Sequence, residues 1–184
     1  MAEHDYSAIA RLIRASLPQC GEVRVIGIDG PAGSGKTTLA AGLSLALEHC
    51  PVVHMDDLYD GWNQDLEVEL GQRIIDSILM PLAAGQDSEY EKYDWYKHKF
   101  SSKEVITHPE FLILEGVGSC NVGSASYLSY RIWVEADPSI LVDRIISRDG
   151  EAMRPHLGEF KRREALYFAN QETKQLADMH LRGD

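Results

Sequence analysis

The segment Gly30-Pro-Ala-Gly-Ser-Gly-Lys-Thr37 decides the fold of this 184-residue chain. It fits the pattern G-x-x-x-x-G-K-[ST] at every fixed position. A β-branched run, Val23–Ile28, precedes it, and helical spacing follows from Lys36 to about Glu48. This order of strand, glycine-rich loop and helix is the setting in which such a loop binds phosphate groups.

Each residue type in this loop has a separate physical role. The glycines allow backbone angles and a close approach that a Cβ atom would prevent, so successive N–H groups point at phosphate oxygens. We expect the loop to bind the phosphates of a nucleoside triphosphate, with Lys36 on the β- and γ-phosphates and the Thr37 hydroxyl on Mg²⁺. The nucleotide-binding residues that we predict are Gly30, Ala32, Gly33, Ser34, Gly35, Lys36, Thr37 and Thr38.

The rest of the chain alternates short apolar runs with helical periods. The further strands that we predict are Pro51–Met55, Phe111–Leu114, Arg131–Glu135 and Ala177–Leu181. The predicted helices cover about 6–16, 36–48, 65–84, 138–148 and 157–175. Such alternation indicates an α/β fold of three layers, a five-stranded parallel sheet with helices on both faces. We therefore predict one P-loop NTPase domain over residues 1–184.

Composition limits the classes of partner. The formal net charge of −11 argues against nonspecific nucleic-acid binding, which needs a basic face. No apolar run reaches 18 residues, and the acidic N-terminus does not look like a secretory signal, so we expect no membrane contact. Cys20, Cys50 and Cys120 match neither a disulfide framework nor a metal site. Unpaired thiols favour a reducing compartment, and we expect a cytoplasmic protein.

Acidic side chains follow several of the predicted strands. Asp56 and Asp57 follow the second strand, and Glu115 ends the third. Ligands of open α/β sheets lie beyond the carboxyl ends of the strands, which is where these side chains fall. Asp56 or Asp57 is therefore a candidate general base for an acceptor hydroxyl, and Glu115 is a candidate Mg²⁺ ligand. A turn or cap is the alternative for the Asp pair, while Asp137, just before Pro138, is expected to be an N-cap.

Arginines lie on or just after the fourth crossover helix. Arg144 and Arg148 are four residues apart and share one helix face, and Arg154 follows. We predict a mobile lid at about 148–158, whose arginines stabilise charge on a transferring phosphoryl group. The alternative is a solvated helix face. The run 161–163, Lys-Arg-Arg, is predicted to be a solvated surface.

Residues 85–108 are polar and aromatic and show no clean period. We predict that they form an acceptor-binding insertion, because binding loops tend to fall in such segments. The stretch Tyr93-Asp-Trp-Tyr-Lys-His98 suits stacking and hydrogen bonding to a flat polar ligand. A hairpin packed on the surface is the alternative.

The order of these motifs resembles that of the uridine kinase family, among the P-loop nucleoside and small-molecule kinases. The likeness runs from about Val23 to Asp184. The segments that resemble family motifs are Asp56-Asp-Leu-Tyr59, Tyr93–His98, Leu114-Glu-Gly116, Arg144 with Arg148-Asp149, and Thr173-Lys-Gln-Leu-Ala-Asp178 followed by Arg182-Gly-Asp184.

The resemblance implies transfer of the γ-phosphoryl group of ATP to a hydroxyl of a small molecule, most readily a nucleoside. It implies that Asp56 is the general base, that Thr37 and Glu115 organise Mg²⁺, and that the lid arginines close over the phosphates. The catalytic residues that we predict are thus Lys36, Asp56, Arg148 and Arg154. The predicted acceptor-binding residues are Asp57, Tyr59, Asp65, Tyr93, Asp94 and His98.

The chain also departs from the family pattern. Gly61-Trp-Asn-Gln-Asp65 replaces the usual His-Pro-x-x-Phe-Asp stretch, and only Asp65 could stand in for its sugar-binding Asp. A P-loop ATPase or a nucleotide-binding switch that acts through a protein partner is the alternative function. A GTPase is expected to show the motif Asn-Lys-x-Asp, which this sequence lacks. A motor ATPase is expected to show Asp-Glu after an apolar strand, whereas the third strand here ends in Glu115-Gly116. Both absences favour a kinase.

Overall fold

The computed structural model, which describes residues 4–183, contains a five-stranded parallel sheet between two layers of helices. The strands are β1 (Arg24–Asp29), β2 (Val52–His54), β3 (Ser88–Asp94), β4 (Lys99–Ile106), β5 (Phe111–Glu115), β6 (Leu128–Glu135) and β7 (Met179–Arg182). The helices are α1 (Tyr6–Ala15), α2 (Lys36–Ala46), α3 (Val68–Ile74), α4 (Met80–Ala83), α5 (Pro138–Asp149) and α6 (Arg154–Gln171). The sheet order is β2-β5-β1-β6-β7, which confirms the predicted fold class.

Alternating side chains of the central strands feed two apolar cores, one on each face of the sheet. Ile26 and Ile28 of β1 pack with α1 and α2, whereas Val25 packs on the opposite face with α3, α4 and α6. Strand β5 is buried along its whole length because helices cover it on both faces. This explains why the central strands read as nearly continuous apolar runs.

The strand order brings three strand ends together. Strand β5 lies between β1 and β2, and Glu115 of β5 is paired in register with Ile28 of β1 and with His54 of β2. The residues that follow β1 and β2 therefore leave the sheet on either side of Glu115, at the carboxyl ends of the strands. The P-loop follows β1 and Asp56 follows β2, so the fold itself assembles the site.

The segment 85–108 forms an antiparallel hairpin of β3 and β4, separate from the main sheet. The hairpin that we considered as the alternative is thus the observed structure. The turn lies at 95–98, and His98 has a φ of 51°. Half-buried strands of a two-stranded sheet alternate only loosely, which explains why no clean period was visible.

Two helices begin elsewhere than predicted. α3 begins at Val68, because the Asp65 carboxylate accepts hydrogen bonds from the Glu67 and Val68 N–H groups and so caps the helix. The helix then continues through a π-helical turn at Ile75–Leu79 into α4. α6 begins at Arg154, directly after a short 3₁₀ turn, Glu151–Met153. The segment predicted as a lid therefore consists of the end of α5, this turn and the start of α6.

Asp137 caps α5 by accepting a hydrogen bond from the Ser139 N–H, as expected. The three cysteines are buried and unpaired. Between residues 4 and 183, no helix is both long enough and apolar enough to cross a bilayer.

Candidate active site

The P-loop forms an open cradle at the start of α2. Gly35 precedes the helix with a φ of 100° and no side chain caps the first turn, so the first N–H groups of α2 remain available to an anion. Gly30 has a φ of 137°, and a Cβ atom there would lie 2.1 Å from the Val134 carbonyl oxygen. The loop can reach this position beside β6 only without that side chain.

Lys36 lies inside the loop. Its ammonium group donates hydrogen bonds to the carbonyl oxygens of Gly30, at 2.7 Å, and Pro31, at 2.9 Å. Burial lowers the pKa of Lys36, and the negative charges of Glu115 and Asp29 oppose the shift. A buried cation held by neutral carbonyls is suited to exchange these contacts for phosphate oxygens.

Thr37 and Glu115 converge as expected for a Mg²⁺ site. The Thr37 hydroxyl donates a hydrogen bond to Glu115 Oε1 at 3.1 Å, and His54 Nδ1 lies 2.5 Å from the same oxygen. This hydrogen bond with Glu115 raises the pKa of His54. Hydroxyl and carboxylate oxygens suit Mg²⁺, which usually keeps several waters and takes one or two protein ligands beside substrate phosphates. The donor set therefore fits this ion, and His54 is a neighbour that sequence reasoning missed.

Asp56 and Asp57 have different surroundings. Asp57 forms an ion pair with Lys92 of β3 at 3.0 Å, whereas no group within residues 4–183 forms a hydrogen bond or ion pair with the Asp56 carboxylate. The Asp56 side chain faces the open cavity, so it is accessible to solvent even though protein walls surround it. Burial within these walls and the negative charge of Glu115 raise its pKa. Asp56 is thus the one of the pair that is free to accept a proton.

One cavity of about 1000 Å³ joins these groups to an aromatic compartment. Trp62 stacks on His156 with ring centroids 4.6 Å apart and meets Trp95 and Phe160 edge-on. The Trp95 Nε1 donates a hydrogen bond to the Asp56 carbonyl oxygen at 3.1 Å, which ties the hairpin to the candidate base. Sequence reasoning missed Trp62, His156 and Phe160, because only the fold brings the loop after β2 against α6.

The predicted acceptor residues divide into two groups. Asp57 and Tyr59 line the cavity, although the Tyr59 hydroxyl already donates to the Val117 carbonyl oxygen at 2.7 Å. The other four do not line it, for four separate reasons. Asp65 caps α3, Tyr93 is buried behind Trp95, Asp94 accepts hydrogen bonds from the hairpin turn, and His98 lies at the exposed tip of that turn.

The three arginines also differ. Arg148 lines the cavity and binds the carboxylate of its neighbour Asp149, while Arg154 is exposed, pairs with Glu151 and does not line it. Arg144 donates to the carbonyl oxygens of Gly33, at 3.5 Å, and Gly183, at 2.9 Å. Arg144 therefore joins α5, the P-loop and the end of the described chain.

Asp29 is a buried carboxylate that the sequence analysis did not single out. It ends β1 with 1% of its surface exposed and accepts hydrogen bonds from the N–H groups of Gly30 and Cys120 and from the Tyr167 hydroxyl. Burial raises the pKa of Asp29 to about 6. The rule that pointed to Asp56 and Glu115, acidic residues at strand ends, applies equally to Asp29 and could have found it.

The prediction of a solvated run at 161–163 was wrong for two of its three residues. Lys161 binds the Ala32 carbonyl oxygen in the P-loop, and Arg163 lines the cavity and binds the carbonyl oxygen of Trp62. Arg162 is exposed and pairs with Glu159. Lys161 therefore faces the P-loop, Arg163 faces the cavity, and Arg162 points to solvent.

Comparisons with known proteins identify the family of the chain. A family model described as an AAA domain matches residues 26–167. The uridine kinase of Lactobacillus johnsonii is 31% identical over 144 residues, which cover 68% of this chain and 67% of that protein. The chain belongs to the uridine kinase-like family of P-loop kinases.

Two further relatives show how far this likeness extends. The uridine kinase of Schizosaccharomyces pombe is 25% identical over 149 residues, which cover 72% of this chain but only 33% of that protein, so the chain spans about a third of its length. A solved structure described as a possible uridine kinase from Bacillus stearothermophilus superposes with a TM-score of 0.66 over 96% of each chain at 22% identity. This superposition supports the fold described above.

Proposed function

We propose that this protein transfers the γ-phosphoryl group of ATP to a hydroxyl of a small molecule, most readily a nucleoside. One observation carries the proposal: Lys36, Thr37 and Asp56 line the same cavity, and that cavity continues into the aromatic compartment around Trp62. A site for the phosphoryl donor and a site for the acceptor thus meet at the free carboxylate of Asp56. A nucleotide switch or a motor ATPase needs no such second compartment.

The residues have defined parts in this reaction. The P-loop N–H groups and Lys36 hold the triphosphate, and bound Mg²⁺, near Thr37 and Glu115, supplies positive charge to it. Asp56 accepts the proton of the acceptor hydroxyl, whose oxygen forms a bond to the γ-phosphorus while the bond from that phosphorus to the bridging oxygen breaks and ADP leaves. Arg148, at the wall of the cavity, is placed to stabilise charge on the transferring group.

The aromatic compartment, in which we place the acceptor, has charges that favour an uncharged acceptor. The Arg163 guanidinium lies beside Trp62, and it donates hydrogen bonds to the carbonyl oxygens of Trp62 and Gln64. Stacked aromatic rings suit a flat base. The Arg163 charge is already balanced in part by Glu159, with which it forms an ion pair at 3.3 Å. The compartment therefore fits a nucleoside better than a nucleoside monophosphate or a sugar acid.

The test is acceptor-dependent release of ADP with Mg²⁺ present. The panel contains nucleosides, the matching 5′-monophosphates and vitamin-like alcohols. We expect stimulation by one or more nucleosides and none by their monophosphates. Release of ADP that no acceptor stimulates would favour the alternative, an ATPase or switch that acts through a protein partner.

A further inference from the structure

Two side chains of α6 bind both polar groups of a single P-loop residue. The Glu164 carboxylate accepts a hydrogen bond from the Ala32 N–H, at 3.1 and 3.3 Å from its two oxygens. Lys161 Nζ donates to the Ala32 carbonyl oxygen at 2.9 Å and also pairs with Glu164 at 3.1 Å. One turn of α6 therefore fixes the peptide groups on both sides of Ala32.

The same helix holds the loop at a second point. The Tyr167 hydroxyl donates to Asp29 Oδ2 at 3.0 Å, and the Asp29 carboxylate accepts from the Gly30 N–H at 2.8 Å. Tyr167 lies three residues after Glu164, hence on the same face of α6. The first residues of the P-loop are thus bound to α6 through two independent sets of contacts.

The charge of Glu164 matters because it lies beside a phosphate cradle. Only 3% of its surface is exposed, and burial raises its pKa while the charges of Lys161 and Lys36 oppose the shift. A buried carboxylate that loses its partner is strongly unfavourable, and here it would also repel polyphosphate. Neither Lys161 nor Glu164 lines the cavity, so neither acts by touching a ligand there.

We propose that Glu164 and Lys161 are positioning residues for phosphate binding. Glu164 holds the Ala32 peptide so that the N–H groups that follow in the loop point into the cradle, and Lys161 cancels the carboxylate charge toward the phosphates. The inference rests on the proposed function, since it takes the loop to bind polyphosphate. It adds a pair of residues on α6, outside the P-loop, that tunes this binding.

The experiment measures binding of ATP and of inorganic tripolyphosphate by calorimetry. Lys161→Met removes the cation that pairs with Glu164, and we expect the affinity for both ligands to fall by a similar factor of about ten or more. Adding Glu164→Gln, which keeps an oxygen for the Ala32 N–H but removes the charge, should restore most of the loss. Arg162→Met is the matched control, because Arg162 is exposed and pairs with Glu159 on its own helix. Its affinity should equal that of the wild type.

Several outcomes would overturn the inference. One is an unchanged affinity for both ligands in Lys161→Met. Another is a double variant that binds them as weakly as Lys161→Met does, and a third is an equal loss of affinity in Arg162→Met. Should Lys161→Met fail to fold, Glu164→Ala and Glu164→Gln provide a second comparison. We expect only the alanine variant to bind tripolyphosphate more weakly, and equal binding by the two would contradict the positioning role.

The wild type separates this inference from the proposed function. If it binds neither ATP nor tripolyphosphate, the proposed function fails, and the inference with it. If it binds both and Lys161→Met binds them equally well, only the inference fails.

Discussion

The Thr37 hydroxyl donates a hydrogen bond to Glu115 Oε1 over 3.1 Å, although 78 residues separate the two in the chain. The contact exists because β5 lies directly beside β1 and ends at the level of the P-loop. It brings together a hydroxyl and a carboxylate, which are oxygen ligands of the kind that Mg²⁺ prefers.

Glu115→Gln should therefore weaken the response to Mg²⁺. The amide keeps the shape of the side chain but loses the charge that favours a cation. We expect the Mg²⁺ concentration for half-maximal rate to rise about ten- to hundredfold, as for other changes around a metal site. A magnesium titration of the rate measures this, with Glu48→Gln, an exposed carboxylate, as the control. An unchanged titration would remove Glu115 from the metal site.

Asp56→Asn should abolish most phosphoryl transfer while ATP binding stays intact. A general base contributes about 10²–10⁴-fold to the rate, and the amide cannot accept the proton. Asp57→Asn, which removes only the ion pair with Lys92, should keep most of the activity. Turnover and ATP affinity of both variants are the measurements. A larger loss in Asp57→Asn would exchange the roles of the two residues.

The rate should also depend on pH through Asp56. Below its pKa the carboxyl is protonated and cannot accept a proton, so kcat/KM should rise with pH as this group ionises. Burial and the charge of Glu115 place the pKa above the ordinary value of an Asp, and the rise should therefore lie at a higher pH than for an exposed carboxyl. The same profile in Asp56→Asn should lack this rise, and its persistence there would assign the rise to another group.

Gly183→Ala should disturb the P-loop from the end of the described chain. A Cβ atom at Gly183 would lie 1.8 Å from the Ser34 carbonyl oxygen, so the two segments must separate. We expect a loss of about 1–3 kcal/mol in the free energy of unfolding, together with weaker ATP binding. Thermal unfolding and calorimetry measure the two effects.

Gly158→Ala is the matched control for this change. A Cβ atom there meets no atom within 4 Å, and the residue lies within α6. The alanine should stabilise the protein by about 0.5–1 kcal/mol and leave ATP affinity unchanged. Equal behaviour of the two variants would contradict the contact between Gly183 and the P-loop.

Trp62→Ala should affect the acceptor rather than the donor. Trp62 stacks on His156 and lines the aromatic compartment, in which we propose that the acceptor binds. We expect KM for the acceptor to rise about two- to tenfold, the range for loss of one aromatic contact, while ATP affinity is unchanged. Tyr96→Ala, at the exposed mouth of the cavity, should change KM less. A selective loss of ATP affinity in Trp62→Ala would place the donor, not the acceptor, in this compartment.

The order of elements could be predicted because most of the signals are local. The P-loop pattern, the β-branched run before it and the helical periods lie within short windows of sequence, and each window needs only its own neighbours to be recognised. The helix boundaries that differ from the prediction have local causes as well. Asp65 caps α3 at a position that its sequence environment does not distinguish from a ligand.

The candidate site was only partly predictable. The strand-end rule found Asp56 and Glu115, since the carboxyl ends of neighbouring parallel strands must meet. The rule did not exclude Asp94 and His98, which the resemblance suggested as acceptor-binding residues. In the structure these two residues lie in the hairpin and do not line the cavity.

By itself, the sequence determined the phosphate cradle, the parallel sheet and the family to which the chain belongs. The tertiary structure alone decided which carboxylate of the pair Asp56 and Asp57 is free and which aromatic rings line the cavity. It also decided that Lys161 and Glu164 hold Ala32 across about 130 residues of chain. The physical reason is the range of the interactions. Backbone conformation follows from neighbours in sequence, whereas burial, ion pairing and stacking depend on which distant segments the fold brings into contact.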